Sequence, residues 1–270
     1  MLRLKYHNYN YMQIETKLSF KAGTFSGGSF LNIIKSYVDF EIKKFLADEI
    51  RDSEMNYNEK YLSKIEKCTD EAELIFRTDY KNGKPNEQFW IMESAVPKSP
   101  QTLYWFLNDR YLSADNLLAL TSNKNFTTGY VSDADFLQWQ NEKSIKNYEY
   151  YGKEHKHLPK IFDKDFNQWE IDIKKINPGR SAVVADMWLQ PAFIMLFGND
   201  FIELVGKEKL LKFEHAYEIK ELANGVIWIQ LYKDLRESAS PEVSRVLKQF
   251  REWIELDKYE DMLSRAGNKR

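Results

Sequence analysis

Residues 72–95, AELIFRTDYKNGKPNEQFWIMESA, place two β-forming runs either side of Lys81-Asn82-Gly83-Lys84. Asn-Gly between such runs is a strong short-range hairpin signal, because both residues tolerate the positive φ of a tight turn. A hairpin commits its strands to antiparallel pairing. A chain assembled from hairpins and separate amphipathic helices therefore belongs to the α+β class.

The rest of the chain extends this pattern. QIETKLSFKA (13–22) alternates Ile14, Thr16, Leu18 and Phe20 with Glu15, Lys17, Ser19 and Lys21, which predicts a half-buried strand. Apolar residues from Phe30 to Leu46 recur at helical spacing. Ser99-Pro100 opens a helix expected over 99–121 with a break near Ser113, and Asp133 opens another ending at Gly152. Strands are expected at 125–133, 169–176, 185–198, 199–206 and 226–235. Helices are expected over 207–223, ended by Asn224-Gly225, and over 240–266, opened by Ser240-Pro241. The predicted architecture is a largely antiparallel sheet with helices packed on one face. One globular domain is expected over 13–260; a division into two lobes, 13–152 and 169–260, joined by a loop at 153–168, stays open. Residues 1–12 and 261–270 are expected to be flexible extensions.

A chain of 270 residues with 43% hydrophobic residues can bury a substantial core. Its net charge of −2, with charges interspersed, argues against a nucleic-acid surface. No apolar run approaches the roughly 18 residues that span a bilayer, so no membrane partner is expected. Cys68 is the single cysteine, which excludes an intrachain disulfide and suits the cytoplasm. The 16 Tyr, 17 Phe and 7 Trp serve cores and protein interfaces equally well.

No complete catalytic motif is present. Gly23 and Gly28 have phosphate-loop spacing, but Ser29 and Phe30 stand where the loop needs Lys and Ser or Thr, so a helix cap is expected. Asp163, Asp165, Asp172 and Lys174 have the form of a metal-dependent phosphodiesterase, with carboxylates on the ion and a lysine polarising water. The same acid-x-Lys spacing recurs at Glu15/Lys17, Glu41/Lys43, Asp79/Lys81, Glu154/Lys156 and Glu218/Lys220, which marks it as a solvated strand face. His155 and His157 lack the further ligands that zinc requires, Cys68, His7 and His215 being scattered. Asp133 and Asp135 read as a helix cap and a dipole partner. Neither metal nor cofactor is expected. An aromatic-lined small-molecule pocket between 187–197 and 226–232 stays open.

In NPGRSAVVADMW (177–188), Pro178 fixes φ and Gly179 is expected at positive φ, so Arg180 leaves a tight turn in a set direction. It could hold an anion, or serve the structure by pairing with an internal acid or packing its stem on Trp188, and the structural role is favoured. Trp188, Phe193 and Phe197 are read as core.

NPGR, Met187-Trp188, MLFG (195–198), ANGVIWIQLYKD, QFREWIELD and GYVSDADFLQWQNE together resemble bacterial proteins grouped as immunity proteins of polymorphic-toxin and type VI secretion systems. The resemblance spans residues 126–256. It implies no catalysis, a cytoplasmic location and tight binding to a cognate toxin domain whose active site is occluded. It fixes no interface. Arg180, Asp133, Asp135 and Trp139 are the positions expected to meet the partner, and a monomer or weak homodimer is expected.

Overall fold

The computed structural model describes residues 12–37, 42–68, 73–78, 80–81, 84–85, 87–92, 100–109, 113–184 and 187–259. The expected terminal extensions, Ser99 and the Asn82-Gly83 turn lie outside them, wholly but for Met12. The first half runs β1 (Gln13–Phe20), α1 (Gly27–Tyr37), β2 (Lys44–Ala47), β3 (Arg51–Asn56), α2 (Leu62–Ile65), β4 (Leu74–Arg77), β5 (Tyr80–Lys81), β6 (Lys84–Pro85), β7 (Gln88–Met92), β8 (Gln101–Asn108) and α3 (Ala114–Thr121). Then follow β9 (Phe126–Asp133), α4 (Ala134–Asn141), α5 (Ile145–Tyr150), β10 (Lys160–Asp163), β11 (Gln168–Ile171), α6 (Ile173–Ile176), β12 (Ala182–Val184) and β13 (Met187–Leu189). The chain continues with β14 (Ile194–Phe197), α7 (Asn199–Val205), α8 (Lys207–Leu211), β15 (Glu218–Glu221), β16 (Ile227–Gln230) and α9 (Pro241–Trp253).

Ten strands make one sheet in the order β15-β16-β14-β9-β1-β8-β7-β4-β2-β3. Its pairings are antiparallel throughout, so the α+β class holds. The Lys81–Lys84 hairpin joins β4 to β7 in register Leu74↔Ile91, as the turn signal predicts. β14 pairs with β9, so both expected lobes contribute to a single sheet. The segment between them is not a bare loop: β10 and β11 pair as a small hairpin across 160–171.

Registers fix which side chains share a face. Phe76, Phe89, Trp105, Thr16, Val131 and Ile194 follow one another across the strands on one face. Phe197, three positions beyond Ile194, points to the other. In the first half α1 covers the Phe76 face, with Phe30 against Phe76 at 5.8 Å between ring centroids. In the second half α7 and α9 cover the Phe197 face, through Phe201 at 5.8 Å and Phe250 at 6.3 Å. These helices thus cover opposite faces in the two halves of the sheet.

Several expected elements differ. β1 is buried on both faces apart from its first residue and Lys17, because it pairs with β8 and β9 in the middle of the sheet. The periodic stretch from Phe30 ends as a helix at Tyr37, and Phe45 pairs with Met55 and Phe76 as strand. Residues 101–108, expected as helix, form β8 between β1 and β7; Ala114–Thr121 is helical as α3, capped by Ser113. The expected helix 133–152 breaks between α4 and α5. Residues 199–205 form α7 instead of a strand, and 218–221 leave the expected helix to pair with β16, with Gly225 at φ +84° in the turn. The Ser240-Pro241 start of α9 is as predicted: Ser240 Oγ accepts from the Val243 amide at 3.2 Å.

Candidate functional site

The change of covered face along the sheet leaves a cleft at β1, β8 and β9, beside α4. Lys17 lies opposite Tyr104 and Tyr130, and Glu15 opposite Phe106 and Ser132, all on the Phe197 face. Glu15 is buried, and the Tyr130 hydroxyl donates to its Oε1 at 2.7 Å. Burial pushes the Glu15 carboxyl up, more than the hydrogen bonds from Tyr130 and Tyr104 and the charge of Lys17 pull it down. Burial also lowers the Lys17 ammonium to about 8, against the opposing pull of Glu15. Both tyrosine hydroxyls are raised, by burial first and then by the adjacent carboxylate.

The cleft holds about 740 Å³ and is walled by Glu15, Phe106, Tyr130, Asp133, Asp135 and Gln190, with Met12, Gln13, Gln138, Asn141 and Ser181 around them. Asp133 caps α4, its Oδ1 accepting from the amides of Asp135 at 2.9 Å and Phe136 at 3.2 Å. Burial nonetheless raises its carboxyl above the ordinary range. The far wall is an amide network. The Ser181 amide donates to Asn141 Oδ1 at 2.8 Å, while Ser181 Oγ and Asn141 Nδ2 both donate to Gln190 Oε1. Gln190 is 1% exposed, and its Nε2 has no hydrogen-bond partner among the described residues.

The NPGR turn packs behind this wall. Asn177 Nδ2 donates to the carbonyls of Trp139 and Gln140, each at 3.0 Å, and Gln140 Oε1 accepts from the Gly179 amide at 2.9 Å. Gly179 does not take the expected positive φ. Glycine fits because a Cβ would lie 3.0 Å from Gln140 Oε1. Arg180 is buried, its Nη2 2.6 Å from Asp257 Oδ1. Arg251 Nε reaches the same oxygen at 2.7 Å, and its Nη1 donates to the Arg180 carbonyl at 2.7 Å. Arg180 thus pairs with an internal acid, one form of the favoured structural role. Phe193 and Phe197 are buried as expected, whereas the Trp188 side chain lies outside the described ones.

Beyond α4 the β10–β11 hairpin stands out from the surface. Of nine exposed large hydrophobic residues among those described, six fall within 150–169: Tyr150, Tyr151, Ile161, Phe162, Phe166 and Trp169. Phe166 is 75% exposed and Trp169 59%, and Trp169 meets Phe162 edge-on at 5.4 Å. Sequence reading missed this patch because the segment's apolar residues have no period, and a short hairpin needs none. Trp139, an expected partner contact, belongs to the small core beneath: it packs on Tyr148 at 5.1 Å, with Lys153 Nζ 4.7 Å above its ring.

The phosphodiesterase constellation is not assembled among the described residues. Asp163 Oδ1 accepts from the Asp165 and Phe166 amides as a turn cap. Asp172 lies beyond β11 and pairs with Lys175 at 2.9 Å, and Lys174 sits on α6, not on the expected strand. No three His, Cys, Asp or Glu among the described residues converge as a metal would need. His155 lies 3.6 Å from Glu149. The Gly23–Ser29 stretch is a helix start in which the Ser26 amide donates to Ser29 Oγ at 2.7 Å. Between 187–197 and 226–232, where the sequence leaves an aromatic-lined pocket open, β14 is buried throughout and β16 is buried over Ile227–Ile229.

Of the expected contacts, Asp133 and Asp135 line the cleft and Arg180 does not. Glu15, Tyr130 and Gln190 were not foreseen. Their only signal is a carboxylate on a strand that proves central, and centrality is invisible locally. Comparison with protein-family models, curated proteins and solved structures gives no match for this chain.

Proposed function

We propose that this chain is a protein-binding antidote: a cytoplasmic immunity protein that holds a cognate toxin domain and occludes its active site. The observation that carries the binding reading is the exposed aromatic hairpin, with Phe162, Phe166 and Trp169 presented to solvent on a well-braced two-stranded unit. Apolar patches of this kind on a folded surface mark interaction sites, and Trp, Tyr and Phe anchors carry much of the energy in protein interfaces. The hairpin is held at its base by Ile171 in the small core with Tyr148, and by the Ser144–Glu170 bridge. It is thus preorganised, which lowers the ordering cost of association.

The toxin-directed form of the reading draws on the resemblance over 126–256, the span that contains both the hairpin and α4. Supporting it, NPGR and QFREWIELD, two segments of that resemblance, meet through Arg180, Arg251 and Asp257. The test is co-expression with each product of the adjacent genes, followed by co-purification and calorimetry. A stable 1:1 complex that suppresses the toxicity of one neighbour is expected. If every neighbouring product passes through without binding, the reading is wrong.

A further inference from the structure

The cleft beside α4 has its own chemistry. Among the described residues lining it, Glu15, Asp133 and Asp135 are acidic and none is a lysine, arginine or histidine. Lys17 follows Glu15 on the same strand face, and its charge counters that of Glu15 from there. Burial starves Glu15 and Asp133 of solvation and disfavours their ionised forms, so a cation seated beside them would replace the solvation they have lost. The Phe106 and Tyr130 side chains line the same space and offer ring surface to a cation.

Gln190 gives an independent indication. A buried amide whose donor goes unused costs free energy unless a ligand or water completes it. Its Oε1 already accepts from Ser181 and Asn141, so the Nε2 hydrogens are the uncommitted end. A guest for this site therefore carries a cation and, close to it, a hydrogen-bond acceptor. A basic residue on a peptide has both: a side-chain ammonium or guanidinium, and a backbone carbonyl.

We propose that the cleft receives one lysine or arginine side chain from a loop of the partner protein, with Glu15 and Asp133 taking the cation and Gln190 Nε2 donating to the adjacent peptide carbonyl. The inference rests on the protein-binding reading above. α4 links the two surfaces, carrying Asp135 and Gln138 at the cleft and Trp139 in the core under the hairpin.

The test uses the full chain and three probes: Nα-acetyl-arginine amide, Nα-acetyl-lysine amide and the uncharged Nα-acetyl-norleucine amide. Binding is followed by NMR shift titration in the wild type, in Glu15→Gln/Asp133→Asn and in Gln190→Met. Asn preserves the helix cap and Gln keeps an acceptor for Tyr130, and a thermal melt verifies folding. One or both cationic probes are expected to bind in the millimolar range, the norleucine probe at least tenfold more weakly. The double variant should lose tenfold or more for the cation, and Gln190→Met about threefold. Norleucine binding as well as arginine, an unchanged double variant, or no shift at ten millimolar probe each overturns the proposal. The two readings fail separately. A neighbouring gene product that binds wild type and double variant alike removes the cation site and leaves the binding function. A cleft that takes arginine in a chain that binds no neighbour does the reverse.

Discussion

Arg180 Nη2 lies 2.6 Å from Asp257 Oδ1, joining positions 77 apart in the chain. The arginine is buried and the carboxylate half-exposed, and Arg251 shares the same oxygen. The contact ties the NPGR turn to the segment after α9, and so holds in place the wall behind the cleft.

Arg180→Ala is expected to destabilise the chain by about 2 kcal/mol, the scale of a charge-assisted hydrogen bond with a partly solvated partner. Urea unfolding measures it. A variant of unchanged stability that no longer binds a partner would assign Arg180 to the interface instead.

The pH dependence of this contact has a definite sign. Desolvation works against the Asp257 charge, but the hydrogen bond and charge of Arg251, with those of Arg180, outweigh it and hold the carboxyl below the ordinary range. A carboxylate depressed in the folded state contributes stability above its unfolded pKa, about 3.9, and loses it as pH falls through the folded value. Asp257→Asn should therefore be less stable than wild type at pH 7. The gap should narrow on acidification below about pH 4. A gap that stays constant down to pH 2 contradicts the assignment.

Lys17 should titrate near pH 8, as burial outweighs the help of Glu15. Replacing Glu15 by Gln removes the group that favours the ammonium, so the Lys17 pKa should fall further. NMR of labelled lysine side chains reads both values; a midpoint near 10 would place Lys17 in solvent.

Phe166→Ser and Trp169→Ser should each leave the unfolding free energy nearly unchanged, within about 0.5 kcal/mol, since both rings are mostly exposed. Partner affinity should fall tenfold or more, about 1.4 kcal/mol or above, if these are interface anchors. Calorimetry against the cognate partner decides: full affinity in both variants removes the hairpin from the interface.

Gly129→Ala should cost about 1–3 kcal/mol, the usual scale of overpacking. An added Cβ would lie 2.4 Å from Leu18 Cδ2 and 2.8 Å from the Lys17 carbonyl of the neighbouring strand, and a backbone atom cannot step aside as a side chain can. A wild-type unfolding midpoint would show that β1 and β9 sit further apart than described.

What the sequence determined by itself is where local signals are self-sufficient. The pairing of Lys81 with Lys84, the Ser-Pro start of α9 and the strand at Gln13–Phe20 rest on turn chemistry, capping and alternation within a few residues, and they form as predicted. The strand 101–108 is different. Leu103, Trp105 and Leu107 lie on one face and Tyr104 and Phe106 on the other, so the run is apolar on both sides and its period fits helix or strand alike. Only pairing with β1 and β7 makes it a strand. Likewise Glu15 and Lys17 have the alternation of a solvated face, but with β1 central Glu15 is buried and Lys17 largely desolvated beside it. Period and capping are properties of neighbours in sequence. Burial, and with it the charge state of Glu15, Lys17 and Asp133, belongs to neighbours in space, which only the tertiary structure supplies.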